Sequence, residues 1–151
     1  MINRILIVCS GNICRSPLAK AIFEAALPQV SFDSAGLLVE NSHLSGSPAA
    51  VYSQERASLS DLCLSEHRAK QLTQELVDWS DLILVMSHSQ MDMISQIADG
   101  ARGKAHLIGQ WIGVGDIPDP IGKEFVEFDN CYRLLDRAVG SWKVRLHGQK
   151  S

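Results

Sequence analysis

The chain has 151 residues, of which 46% are hydrophobic and 21% charged, with a formal net charge of −3. This length supports one packed core, and the slight acidity excludes the basic footprint that nucleic-acid binding needs. No apolar run reaches the length of a membrane span, and MINRILIVCSGN at the N-terminus lacks the apolar segment and cleavage site of a signal peptide.

Taken in order, Arg4–Cys9 (RILIVC) is predicted as a buried strand, because continuous aliphatics suit a parallel sheet covered on both faces. Residues 16–27 are predicted as a helix, with Ser16 as N-cap and Pro17 at the first helical position. A short second strand follows over 30–34. A glycine- and serine-rich loop around Gly46 then leads into a helix over 48–58. TQELVDWS is a short helix, DLILVM (81–86) the third strand, and 87–98 a helix. Met91, Ile94 and Ala98 share one stripe of that helix and read as core rather than as a cofactor box. AHLIG is the fourth strand; the turn-rich GVGDIPDPIGK and a long amphipathic helix over 124–146 complete the chain. The alternation predicts an α/β chain with one domain spanning 1–151, a Rossmann-like three-layer sandwich. Its four-stranded parallel sheet would carry helices on both faces. Reactive sites in such sheets lie at the carboxyl ends of the strands, and Cys9 ends the first strand.

Cys9, Cys14, Cys63 and Cys131 follow no CxxC or zinc spacing, and the five histidines form no HExxH or paired pattern. No metal and no cofactor is expected. Without an export signal the cysteines are expected as free thiols in a reducing, cytoplasmic setting.

The densest chemistry lies in VCSGNICRSP, residues 8–17, between the first strand and first helix. It is neither GxGxxG nor GxxxxGK[ST]. A short loop wrapped onto a helix N-terminus turns backbone N–H groups toward one centre, and the helix dipole favours negative charge there. Arg15 adds a planar fork that matches two phosphate oxygens. Gly11 relieves crowding, and Asn12 is a residue type that tolerates left-handed backbone. The same field stabilises a thiolate, so Cys9 is the candidate nucleophile, with Ser16 placed to donate to its sulfur. Attack on a bound phosphate would give a phosphocysteine. A Cys-x5-Arg coincidence is expected in roughly one chain of this composition in five, so the pair alone is weak. The strand before, the helix after and the Gly, Asn and Ser-Pro between make it specific. Expelling a phenolate or alkoxide requires a general acid. DIPDPIGK offers Asp116 and Asp119, both of which also suit ordinary turns. Asp119, fixed between Pro118 and Pro120, is the favoured one.

These residues resemble the low-molecular-weight protein tyrosine phosphatases, in their bacterial branch. The resemblance rests on VCSGNICRSP, on DSAG at 33–36, HRAKQL at 67–72, DLILVM at 81–86 and DPIGKEFVEFDNCY at 119–132. It implies Cys9 as nucleophile, Arg15 as phosphate clamp, and Asp119 as general acid and then base. It implies phosphate binding by Ser10, Gly11, Asn12, Ile13, Cys14, Arg15 and Ser16, largely through backbone amides. A supporting network of Asn12, Ser16, Ser34 and His67 is implied, and Cys14 matches a cysteine that can pair reversibly with the nucleophile. Ile121 stands where the family usually has an aromatic residue, the loop LLVENSHLSG lacks the tryptophan of many members, and Lys70 replaces a common arginine. The pocket wall is therefore expected to be aliphatic, from Leu37, Leu38, Leu44 and Ile121.

Three other readings compete with this one. A thioredoxin-coupled arsenate reductase shares such a loop but needs two further cysteines close together, whereas Cys63 and Cys131 stand far apart in sequence. Protein arginine phosphatases carry threonine where Ile13 stands. A non-catalytic phosphate-binding module would normally lack the nucleophile or the acid. The partner implied by the resemblance is a phosphotyrosine protein, a bacterial tyrosine autokinase of exopolysaccharide export among them, with the chain a monomer or weak homodimer.

Overall fold

The structure, a computed structural model, describes residues 1–147. Four parallel strands, β1 (Arg4–Cys9), β2 (Ser31–Gly36), β3 (Leu82–Val85) and β4 (Ala105–Leu107), form one sheet in the order β2-β1-β3-β4. The α/β architecture expected from the sequence is present. Successive side chains of β1 point to opposite faces. Ile5, Ile7 and Cys9 join one buried cluster, with Leu18, Ala57 and Leu135. Leu6 and Val8 join the other, with Val77, Ile94 and Ala101. The first layer is made by α1 (Arg15–Ala26), α2 (Val51–Ser58) and α6 (Phe125–His147), the second by α3 (Gln74–Trp79), α4 (His88–Ile97) and α5 (Ala101–Lys104). Ile94 and Ala98 are buried and Met91 packs against the second cluster, as the core reading of that stripe expects.

Boundaries differ from the predicted ones for local reasons. β2 runs two residues further than 30–34, to Gly36, because β1 pairs with it as far as Cys9. α2 starts at Val51 rather than at 48, since Ala50, its N-cap, has a non-helical backbone (φ −54°, ψ 144°), its amide bonded to Ile13 O at 2.8 Å. β4 is three residues long; AHLIG leaves the sheet after Leu107 and passes into a 3-10 turn at Gln110–Ile112. The short α5 has no periodic signal of its own and is absent from the predicted elements.

From β1 the chain moves to one neighbour, β2, and then crosses to the other, β3. The loops after β1 and β3 therefore diverge, leaving a crevice at the carboxyl edge, the usual ligand position in open α/β sheets.

Candidate active site

The crevice holds a cleft of about 230 Å³ lined by Cys9, Ser10, Gly11, Ile13, Cys14 and Arg15, with Ser42, Leu44, Asp119 and Ile121 around them. Its floor is the loop between β1 and α1. The carbonyls of that loop are drawn outward by donors from surrounding segments. Leu38 N donates to Ser10 O at 2.9 Å, His67 Nε2 to Asn12 O at 2.5 Å, and Ala50 N to Ile13 O at 2.8 Å. Ser53 Oγ donates to Cys14 O at 3.4 Å. In a planar trans peptide the N–H points opposite to the preceding C=O, and no described peptide bond is cis. The amides of Gly11, Ile13, Cys14 and Arg15 are thereby turned away from those anchors, toward the cleft. Such a nest of N–H groups at the start of α1 favours an anion.

Two donors converge on Cys9. Asn12 N–H lies 3.2 Å from Sγ, and Ser16 Oγ lies 3.0 Å from it. Ser16 Oγ already accepts from Asn12 Nδ2 at 2.7 Å, so its own proton is free for the sulfur. The second proton of Asn12 Nδ2 goes to Ser34 Oγ at 3.0 Å, and Asn12 Oδ1 accepts from Lys70 N at 3.0 Å. Asn12 is fully buried with φ at +56°, so these three bonds hold a left-handed residue in place. The expected group of Asn12, Ser16, Ser34 and His67 is thus brought together, with His67 acting through the Asn12 carbonyl. A carbonyl only accepts, so His67 carries its proton on Nε2. Burial, helped by the charges of Lys20, Lys70 and Arg68, lowers the proton affinity of this imidazole, although its bond to Asn12 opposes that. Burial pushes the thiols of Cys14 and Cys131 up to about 12. Among the described residues all four cysteines are free.

Arg15, 5% exposed, donates from Nη1 to Ile117 O at 2.8 Å and places Nη2 3.5 Å from Asp119 Oδ2. Its Nε is a buried donor without a protein acceptor, an arrangement that leaves one arm of the guanidinium fork for an anion. Asp119 accepts from Ile121 N at 3.1 Å through its other oxygen and faces the cleft. Asp116 does not: its Oδ1 accepts from His88 N at 2.9 Å and pairs with His88 Nδ1 at 3.0 Å, which holds its carboxyl below the usual range. The alternative left open between the two carboxylates separates here into one in the cleft and one bonded outside it.

Several expectations need correction. Leu37 and Leu38 are not cleft wall. Leu37 is 3% exposed in the second core cluster and Leu38 packs against it, because both lie in the bend just past β2 and bond back to Cys9 O and Ser10 O through their amides. Leu44 and Ile121 do line the cleft, joined by Ser42 and Ile13. Ser16 is not an N-cap: α1 begins at Arg15 with Cys14 before it, and the Ser16 hydroxyl is used on Cys9 and Asn12. Asn12 and Ser16 are fully buried behind the loop rather than lining it. Sequence reasoning also missed Gln90, whose buried side chain accepts from Met86 N at 2.8 Å and donates to Ser10 Oγ at 3.0 Å. Its signal was Ser87-x-x-Gln90, a capping-box spacing at the start of α4. Among the described residues no group of three or more His, Cys, Asp or Glu is arranged to hold a metal ion, and no helix is long and apolar enough to cross a membrane.

Residues 4–151 match the family model described as low molecular weight phosphotyrosine protein phosphatase. The chain belongs to this family. Among its relatives, the probable low molecular weight protein-tyrosine-phosphatase AmsI of Erwinia amylovora is 39% identical over 94% of this chain and 96% of its own. The solved structure of Vibrio vulnificus Wzb in complex with benzylphosphonate has a TM-score of 0.94 at 42% identity, covering 96% of this chain and 99% of that one. The tyrosine phosphatase Wzb from Escherichia coli K30, solved in complex with sulphate, has a TM-score of 0.90 at 37% identity, covering 97% and 99%. The low molecular weight phosphatase family thus accounts for the whole sheet and for the loop after β1.

Proposed function

We propose that this chain is a protein tyrosine phosphatase that hydrolyses aryl phosphate monoesters through a phosphocysteine. The observation that carries the reading is the position of Cys9 Sγ beneath inward-turned amides, with Arg15 and Asp119 on the same cleft. In the first step the Cys9 sulfur attacks phosphorus as a thiolate and the bond to the phenolic oxygen breaks. Asp119, as the carboxylic acid, gives its proton to that oxygen. In the second, Asp119 takes a proton from water, the water oxygen attacks phosphorus, and the S–P bond breaks. The sulfur then regains the Asn12 N–H and Ser16 O–H bonds that stabilise it as a leaving group. Arg15 and the amides meet the charge on the equatorial oxygens. An aryl ring fits between the aliphatic Leu44 and Ile121; the absent aromatic contacts lower its packing energy by about 1 kcal/mol.

The substrate is a phosphotyrosine protein. A bacterial tyrosine autokinase of exopolysaccharide export is the partner we assign, supported by the likeness to bacterial family members. The test is hydrolysis of p-nitrophenyl phosphate in EDTA. Wild type should turn over, Cys9→Ser should lose at least about a thousandfold, and Asp119→Asn about 10²–10⁴-fold, most with poor leaving groups. Persistence of turnover in Cys9→Ser, or its loss in EDTA with rescue by Mg²⁺, would overturn the mechanism. Absence of turnover in the wild type, with retained affinity for phosphotyrosine peptide, would leave a binding module.

A further inference from the structure

Gln90 occupies the third position of α4, three residues after the N-cap Ser87, whose Oγ accepts from Gln90 N at 3.3 Å. In a complete capping box a glutamine here reaches back to the N-cap amide. This one reaches past it, accepting from Met86 N at 2.8 Å, and spends its amide donor across the crevice on Ser10 Oγ at 3.0 Å. It is 2% exposed, so both bonds are made away from water, where an unmet polar atom is costly. Ser10 is therefore gripped from both sides: its carbonyl by Leu38 after β2, its hydroxyl by Gln90 after β3. With Oγ accepting, the hydroxyl proton of Ser10 remains available to an oxygen in the cleft that Ser10 lines.

We infer that Gln90 is a positioning residue for phosphoryl transfer, holding Ser10 so that its hydroxyl and the adjacent Gly11 amide meet the phosphoryl group. The inference rests on the phosphatase reading above. It differs from a purely structural role in acting through Ser10. Loss of the donor frees the first turn of the loop without removing any group that touches the reacting atoms.

The experiment uses the whole chain with p-nitrophenyl phosphate as substrate and orthovanadate as the oxyanion probe. Gln90→Glu keeps the acceptor for Met86 N and reverses the other bond, so that the Ser10 hydroxyl donates to the carboxylate and its proton is withdrawn from the cleft; Gln90→Met removes both bonds. Wild-type turnover is the control for the phosphatase reading, and its failure is distinguishable from any effect of the Gln90 variants. Both variants should lose about tenfold in kcat/KM, the equivalent of one hydrogen bond, with orthovanadate inhibition weakened by a similar factor. Ser10→Ala should lose a comparable amount, and Ser10→Ala with Gln90→Met no more than the single variants. Gln90→Met that loses thermal stability but keeps kcat/KM and vanadate inhibition would show a structural role only. Losses that multiply in the double variant would show that Gln90 does not act through Ser10. Either result overturns the inference.

Discussion

Left-handed backbone ordinarily costs a non-glycine residue about 1–2 kcal/mol, and Asn12, at positive φ, is one of the few types that adopts it. Here the side chain offsets that through Ser16, Ser34 and the amide of Lys70, while His67 holds the carbonyl. The bond from His67 exists only with the proton on Nε2, and burial keeps the second nitrogen unprotonated more readily than in an unfolded chain. The folded imidazole therefore binds a proton less readily than the unfolded one, so its contribution to stability is complete above about pH 6.5. It is lost as the pH falls from there toward the depressed folded value. Urea midpoints measured from pH 8 to pH 5 should fall less for His67→Gln than for wild type; parallel curves would refute the linkage. Neither Asn12 nor His67 announces this role through spacing alone. They were legible only through the family resemblance, because a buried polar network leaves no periodic trace in the sequence.

At the scale of elements, the strands were the most legible part, since aliphatic runs between turn residues have one good solution in a parallel sheet. What lay beyond strand ends was read less well. Leu37 and Leu38 look like loop residues available to a pocket, yet the bend after β2 turns them onto the second core cluster. Gly36, just before them, is the reason the loop after β1 can sit so close. A Cβ there would lie 2.4 Å from Val39 Cγ2 and 2.7 Å from the Ser10 carbonyl. The second contact is with backbone and cannot yield by a rotamer change. Gly36→Ala should cost about 1–3 kcal/mol of stability by overpacking. It should also lower kcat/KM, because relief requires Ser10 to move. Chemical denaturation together with kinetics checks this, and a variant of wild-type stability and activity would contradict it. Ser16 had two sequence readings, cap and donor to Cys9; the cap reading fails because α1 begins at Arg15, and the hydroxyl lies against the Cys9 sulfur.

Across the whole molecule, an oxyanion bound by the inward amides and Arg15 should act as a ligand of the native state alone. At a hundred times its dissociation constant, orthovanadate should add about 2.7 kcal/mol of stability. For a chain of this size that raises Tm by roughly 5–10 °C. Arg15→Ala should abolish most of the shift, and an equal shift in that variant would place the anion elsewhere. The parallel sheet that makes this site possible was foreseeable from the alternation of elements. The convergence of four distant segments on one loop was not, because it depends on side chains and amides that carry no pattern.

That convergence has a consequence during synthesis. The loop that begins at Cys9 leans on donors from residues 38, 50, 53, 67 and 90, and Arg15 is tied to the carbonyl of Ile117. A ribosome therefore exposes the proposed nucleophile more than a hundred residues before Ile117, the last of these partners, can join its surroundings. Until then Cys9 lies in an open chain, without the Asn12 and Ser16 contacts to its sulfur. Turnover is consequently a late-acquired property, and a growing or truncated polypeptide ending before Ile117 should carry the signature loop without the activity it encodes.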